Sequence, residues 1–349
     1  MKNKIAIIGP YPPPYGGISV HIQRVVKYLP KDRYVLFNTS NSKCEGAISF
    51  YGKVKYLKVF QFIFKEYKLI HAHTTDSILR FLLGMIGIFK KNIYIHIHGA
   101  SLTDFFQRKS IFSYLMKKLT KNINIIASNS GILHEIGIYN PISVREIDAF
   151  LPPKFDFNKF NSVVQSYEDF FRNGRVKISM TGWFVRYKNA DLYGFDLAAK
   201  VVKKFKENGK IIFLVASING IRDRGLYNSF QEYVNTNNLN CQILLIHEDM
   251  EEVWPIFMAS QVFIRPTNTD GSSVSIKEAL WFETKVVASD CVVRPKNVIL
   301  FKNRSENDLY EKILYIYQQS QLSIERKISK LSSKSFTNKL FTDVYELQG

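Results

Sequence analysis

A chain of 349 residues, 46% hydrophobic and 22% charged, is neither disordered nor fibrous, and its length suggests two domains of about 150 residues or more. Its 48 Lys and Arg against 30 Asp and Glu leave a formal charge of +18, of which residues 1–170 carry +12 (23 against 11) and residues 171–349 carry +6 (25 against 19). Such a surplus admits an anionic partner, a nucleic acid or a membrane surface, or reflects only a lysine-rich surface.

The chain opens on the apolar run Ile5–Ile8, too short for a signal-peptide core and broken by Gly9-Pro10. Gly16-Gly17-Ile18-Ser19 then starts a helical pattern through Val20, Ile22, Val25, Val26 and Leu29. Apolar runs follow at Tyr34–Phe37, Leu69–Ala72, Ile93–Ile97 and Ile123–Ala127, with helix-length segments between them. This alternation predicts βαβ units and a parallel sheet. Leu151-Pro152-Pro153 stops the rhythm, and a polar linker is expected to about residue 175. The longest apolar run, Phe81–Phe89, is about half a membrane span and contains Gly84 and Gly87.

The second half repeats the alternation. Strands are expected at Lys177–Thr181, Ile211–Ala216, Ile243–Ile246, Val262–Arg265 and Val286–Ser289, and helices at 190–207, 224–236, 250–259, 273–283 and 306–319. Asp249 and Glu252 have capping-box spacing for the helix at 250–259. Residues 321–346 have helical spacing, and no repeat of solenoid period occurs. The expected architecture is α/β: a doubly wound domain over 1–160, a second over 161–330, and a last helix over 331–349 that can pack back on the first domain. Two such domains place a ligand in a cleft near the carboxyl ends of their strands. Cys44, Cys241 and Cys291 are far apart and odd in number, which indicates a reducing compartment rather than a disulfide scaffold or a zinc site.

Four segments carry chemistry. Gly9 to Ser19 follows the first strand; Gly16 and Gly17 are either a plain turn or a loop that lets the backbone approach a phosphate. It is neither a dinucleotide fingerprint nor a Walker loop. His96-Ile97-His98-Gly99 ends a strand, with both histidines on one face; they are either structural or, for His98, within reach of a ligand. His71 and His73 add no Cys or carboxylate, so no metal is expected there. Thr181 to Asn189 puts Arg186 and Lys188 on a loop at a strand end, either solvated or facing a diphosphate. Asp270 to Leu280 leads from a strand through a polar loop into a helix near Ser273. Backbone N–H groups of Ser273, Val274 and Ser275 then face an anion. Glu278 can take two hydrogen bonds from a ribose diol and Asp270 one from a sugar hydroxyl, or the two are merely a solvated residue and part of a cap.

In order and separation, these motifs resemble the family-4 retaining glycosyltransferases (glycosyltransferase group 1) of the two-domain GT-B fold, over nearly the whole chain. The family's paired acids, seven residues apart, match Asp270 and Glu278, with Asp in place of the first Glu. The resemblance implies that the first domain binds the acceptor and the second the nucleotide-sugar, with Gly16 and Gly17 near the diphosphate and acceptor, His98 beside the donor sugar, and Lys188 on the diphosphate. It also implies that Ser273, Val274 and Ser275 donate to phosphate and that Glu278 binds the ribose. The family's arginine after the glycine is Trp183 here, with Arg186 a candidate replacement. The implied activity is metal-independent transfer of a hexosyl or related group with retention, through an oxocarbenium-like state. The donor, a substrate and not a cofactor, is a UDP-sugar first and a GDP-sugar second. The acceptor is lipid-linked or a saccharide, in bacterial surface polysaccharide assembly on the cytoplasmic face of the membrane.

A soluble acceptor, a nucleic-acid-binding protein and a silent binding module are the rival readings. The basic residues are scattered and no nucleic-acid-binding motif occurs, so no nucleic acid is expected. Residues 102–121 add an expected anionic-membrane contact: Phe105, Phe106, Ile111, Phe112, Leu115 and Leu119 on one side, Arg108, Lys109, Lys117, Lys118 and Lys121 on the other. The same pattern also suits a core helix with a solvated basic face.

Overall fold

The computed structural model describes residues 2–13, 15–98, 101–171, 176–247, 250–270, 273–319, 327, 329–331, 334 and 338–346, without the side chains of Ser101, Thr103 and Asp104. The chain divides into two units, residues 1–151 with 336–349 and residues 152–335.

Unit 1 runs β1 (Ile5–Gly9), α1 (Gly17–Tyr28), β2 (Tyr34–Asn38), β3 (Ile48–Ser49), α2 (Lys55–Lys58), α3 (Gln61–Phe64), β4 (Leu69–His73), α4 (Ser77–Ile86), β5 (Ile93–Ile97), α5 (Ser101–Gln107), α6 (Ile111–Thr120), β6 (Asn124–Ala127), α7 (Ser130–Gly137) and β7 (Ser143–Glu146). Its sheet has the order β3-β2-β1-β4-β5-β6-β7, every pair parallel. Strands β1 and β4 are buried at every position, because helices cover both faces of a parallel sheet. One face packs Ala6, Ile8, Phe37, Phe62, Leu83 and Met116 into a core. The other packs Ile5, Ile7, Ile22 and Val25 with Leu340, Val344 and Tyr345, which flank or form a single π-helical turn over Leu340–Val344.

Unit 2 runs α8 (Phe157–Ser166), α9 (Glu168–Phe171), β8 (Val176–Phe184), β9 (Arg186–Tyr187), β10 (Ala190–Asp191), α10 (Phe195–Glu207), β11 (Ile212–Ile221), α11 (Arg224–Thr236), β12 (Ile243–Ile246), α12 (Trp254–Ala259), β13 (Val262–Arg265), α13 (Val274–Trp281), β14 (Lys285–Ser289), β15 (Val298–Phe301) and α14 (Glu306–Gln319). The sheet order β12-β11-β8-β13-β14-β15, all parallel, repeats the first unit's winding. Strand order reverses beside β1 in one unit and beside β8 in the other. Each reversal opens a crevice at the carboxyl ends of the strands.

Several expectations change. The 150–175 linker contains α8 and α9; Asp156 accepts the N–H groups of Asn158 and Lys159, and Phe160 is buried and stacks near Trp254. The helix expected from 190 begins only at Phe195, because a two-strand hairpin precedes it. The helix expected over 250–259 begins at Trp254, with Pro255 in its first turn where no N–H is needed. The proposed cap Asp249 lies outside the described residues. Residues 102–121 form two helices rather than one segment: Phe105 and Phe106 are core residues, while Ile111 and Leu115 are exposed. Ser110 accepts the Ser113 N–H and starts the second helix.

Candidate functional site

At the reversal point of unit 2, the end of β13 supplies Arg265 and the following loop supplies Asp270. Arg265 donates from Nε and Nη2 to the two Asp270 oxygens, each at 3.0 Å, and Arg294 Nη1 donates to Oδ2 at 2.8 Å. The Asp270 side chain is only 8% exposed. Burial pushes its carboxyl up, but Arg265 and then Arg294 outweigh this and hold it below the usual range. Asp270 therefore stays ionised with both oxygens engaged. Arg294 also donates to Thr267 Oγ1 and to the Ser289 carbonyl, at 3.1 Å each, so the 265–270 loop is fixed to the end of β14.

Glu278 lies on α13 and is buried, which removes the solvated reading; its neighbours Ile276 and Ala279 face the core. Ser273 is the extended residue before the helix, and its Oγ lies 3.1 Å from Ser275 Oγ rather than capping the backbone. Val274 is the first helical residue.

The hairpin β9–β10 leaves the end of β8. Its two-residue turn is Lys188-Asn189, both with positive φ (48° and 62°), the geometry that suits right-twisted strands. Lys188 is thus exposed at the tip, its Nζ 5.5 Å from the Tyr187 ring. Arg186 is ion-paired with Asp223 at 2.8 Å. Gly194, with φ +74°, caps α10 where a Cβ would run into Pro266, and Asn268 N–H donates to the Leu192 carbonyl at 3.1 Å. Asp191 is buried; its oxygens accept the N–H groups of Tyr193 and Asp196, while burial, with Asp196 adding, pushes its carboxyl up to about 6. These contacts join the hairpin to the Asp270 loop. Trp183 lies against Gly220, whose hydrogen leaves room for the ring, and the guanidinium of Arg222 sits 4.6 Å above it.

The reversal point of unit 1 holds Gly16, Gly17 and His98. Gly16 N–H donates to Ser19 Oγ at 2.9 Å, which starts α1. A Cβ on Gly16 would meet only Ser19 Oγ, at 4.0 Å, and one on Gly17 nothing within 4 Å. The described protein leaves space there. His98 is half-buried and stacks on His96, ring centroids 4.1 Å apart; its Nε2 is 3.0 Å from His73 Nδ1. His21 and His71 complete a group of five, so five of the seven histidines meet here. Burial depresses all five, His21 to about 4 and His71 to about 3, with neighbouring imidazoles adding to the effect at His71, His73, His96 and His98. They are neutral at pH 7.

Lys188, Arg186, Asp270, Ser273, Val274, Ser275 and Glu278 thus lie in unit 2, and Gly16, Gly17 and His98 in unit 1. Sequence reasoning misses Arg222, Arg265, Arg294 and His21. Arg265, the last residue of an apolar strand, carried a signal; the other three meet their partners only through the fold.

No protein-family model matches the chain. An uncharacterized glycosyltransferase of Methanocaldococcus jannaschii is 23% identical over 370 residues, which span 96% of this chain and 93% of that protein. Among solved structures, Anabaena HepE in complex with UDP superimposes with a TM-score of 0.69 at 11% identity over 94% of each chain. A glycosyltransferase from Rickettsia africae does so with a TM-score of 0.66 at 13% identity, over 94% of this chain and 92% of that one. This chain is a homologue of the archaeal glycosyltransferase over almost its whole length and has the two-domain α/β GT-B fold.

Proposed function

We propose that the protein is a retaining hexosyltransferase of family-4 type, which moves a sugar from a nucleotide-sugar to a lipid-linked or saccharide acceptor in bacterial surface polysaccharide assembly. The observation that carries this reading is Glu278, a buried carboxylate on the helix that follows the Arg265–Asp270 loop. A buried acid at the carboxyl ends of a parallel sheet suits a ribose diol, which offers two donors to one carboxylate. The N–H groups at Ser273, Val274 and Ser275 meet the diphosphate at the helix start. Lys188 offsets the charge that grows on the leaving diphosphate, Arg186 assists, and the reaction runs on these cations without a metal. Arg222, stacked on Trp183, supplies the guanidinium that the family carries at the tryptophan's position. Asp270 stays ionised and acts on the donor sugar through the loop it fixes, not as an acid or base. In unit 1, His98 donates to the donor sugar, and Gly16 and Gly17 leave room for the diphosphate and acceptor.

A UDP-sugar is the donor of choice; HepE has been solved with UDP-glucose as well as with UDP. The acceptor is met at an anionic membrane surface on the cytoplasmic side. Leu57, Phe64, Phe89 and Ile111 in unit 1 are 71–84% exposed. They lie on or beside α2, α3, α4 and α6, among Lys58, Lys65, Lys90 and Lys109. Basic residues beside exposed apolar ones suit peripheral docking. No described helix is long and apolar enough to cross a membrane. Stabilisation by UDP or a UDP-sugar in a thermal-shift panel, with release of sugar from that donor, tests the reading. A shift with GDP alone changes the donor, and no shift with any nucleotide overturns the proposal.

A further inference from the structure

We propose that His21, His73, His96 and His98 form a binding site for a late first-row divalent transition-metal ion, zinc(II) first. The site shares His98 with the transferase reading, but its test needs no activity. One potential ligand atom from each of the four side chains falls within 4.8 Å of the others. Three elements bring them together: α1 carries His21, β4 carries His73, and β5 carries His96, paired in register with His73, with His98 just beyond it. The sequence alone leaves this set incomplete, because His21 arrives from a helix some fifty residues upstream.

The state of His21 can be read from its partner. Its Nδ1 lies 2.6 Å from the Ala149 carbonyl, which only accepts, so Nδ1 holds the proton and Nε2 presents a bare lone pair. That nitrogen is buried and has no hydrogen-bond partner among the described residues. The same holds for His73 Nε2 and for both nitrogens of His96. A core that needed only bulk at this crevice would take Ile or Val, which leave no polar atom unpaired. An ion satisfies several of these lone pairs at once. Neutral imidazoles are the form that binds metal, and a carbonyl on the far ring nitrogen of His21 is the usual outer support of a metal-bound histidine. The set has no carboxylate, which disfavours magnesium and calcium; imidazole suits zinc, copper, nickel and cobalt. Tetrahedral zinc holds nitrogens about 3.3 Å apart, from Zn–N distances of 2.0–2.1 Å. A pair at the 4.8 Å limit would therefore draw in by about 1.5 Å, and an ion held through His73 Nδ1 and His98 Nε2 would replace the hydrogen bond between them. His71 stands outside the set, with its Nδ1 2.6 Å from the Tyr345 hydroxyl and its ring parallel to His96. A bound ion ties the start of α1, and with it the Gly16-Gly17 loop, to β4 and β5.

The test is metal binding by the full-length protein after chelator treatment, read without any activity assay. Zinc titration should saturate near one ion per chain and raise the melting temperature. Cobalt(II) should give the intense visible band of a four-coordinate ion. His21→Gln and His96→Gln should each weaken zinc binding by at least about 10-fold, comparable to losses seen even for outer-shell partners. A His134→Gln/His247→Gln variant, which changes the two histidines outside the group, should bind as the wild type does. Sub-stoichiometric zinc, a weak six-coordinate cobalt spectrum, or binding that survives His21→Gln overturns the proposal. The wild-type cobalt spectrum decides even if a core variant fails to fold.

Discussion

The guanidinium of Arg222 lies 4.6 Å above the ring of Trp183, at the carboxyl ends of two paired strands. The indole orients a cation that comes from just beyond the end of β11, the strand paired with its own. Arg186, the expected substitute, is engaged by Asp223. Arg222→Ala should therefore lower kcat by about 10²-fold, the effect of losing one electrostatic donor, and Arg186→Ala should cost less. Steady-state kinetics of the two variants distinguishes them, and the reverse ranking would return the role to Arg186.

Lys188 sits at the tip of the hairpin, and its side chain supports no core contact. Lys188→Ala should leave the melting temperature unchanged and reduce kcat by about 10²-fold, because charge accumulates on the diphosphate as the bond breaks. A loss confined to KM would mean that Lys188 binds donor and transition state equally.

Asp191 gives a pH signature. Its folded carboxyl titrates near 6, above its ordinary value of 3.8. The native state thus binds the extra proton between those two values, and the contribution to stability is present below about pH 4 and lost as pH rises through about 6. Asp191→Asn should remove that slope, gaining on the wild type by up to about 3 kcal/mol between pH 4 and pH 7. Melting temperatures of both proteins at the two pH values measure it; parallel curves would contradict the buried-acid account.

The membrane contact rests on exposed residues. Lys117 is half-buried, 5.7 Å from the Tyr139 ring, so the variant should change Arg108, Lys109, Lys118 and Lys121 instead. Glu at those four positions should abolish co-sedimentation with anionic vesicles at low salt without unfolding the protein. If the wild type does not sediment, a soluble acceptor is the better assignment.

How far the sequence led depends on how local the determinants were. Helices 224–236 and 306–319 match their expected ranges, since each has its own apolar stripe and start signal. The β9–β10 hairpin was hidden because its turn, Lys188-Asn189, has no glycine and its strands have two residues each. β7, half-exposed at a sheet edge with the sequence Ser-Val-Arg-Glu, has no apolar run to find. At the site, residues that lie on one motif were legible: Glu278 and Ser273 occur where a strand–loop–helix pattern puts them. Arg294, Arg222 and His21 were not, because each joins its partners across elements far apart in sequence.

The central claim is that unit 2 binds a nucleotide-sugar through Glu278, and calorimetry with UDP on the wild type and on Glu278→Ala tests it most directly. The account predicts saturable binding by the wild type and a loss of about 1.5–3 kcal/mol in the variant, the worth of hydrogen bonds to a charged group, with the fold retained. Equal affinity in the two proteins would contradict it.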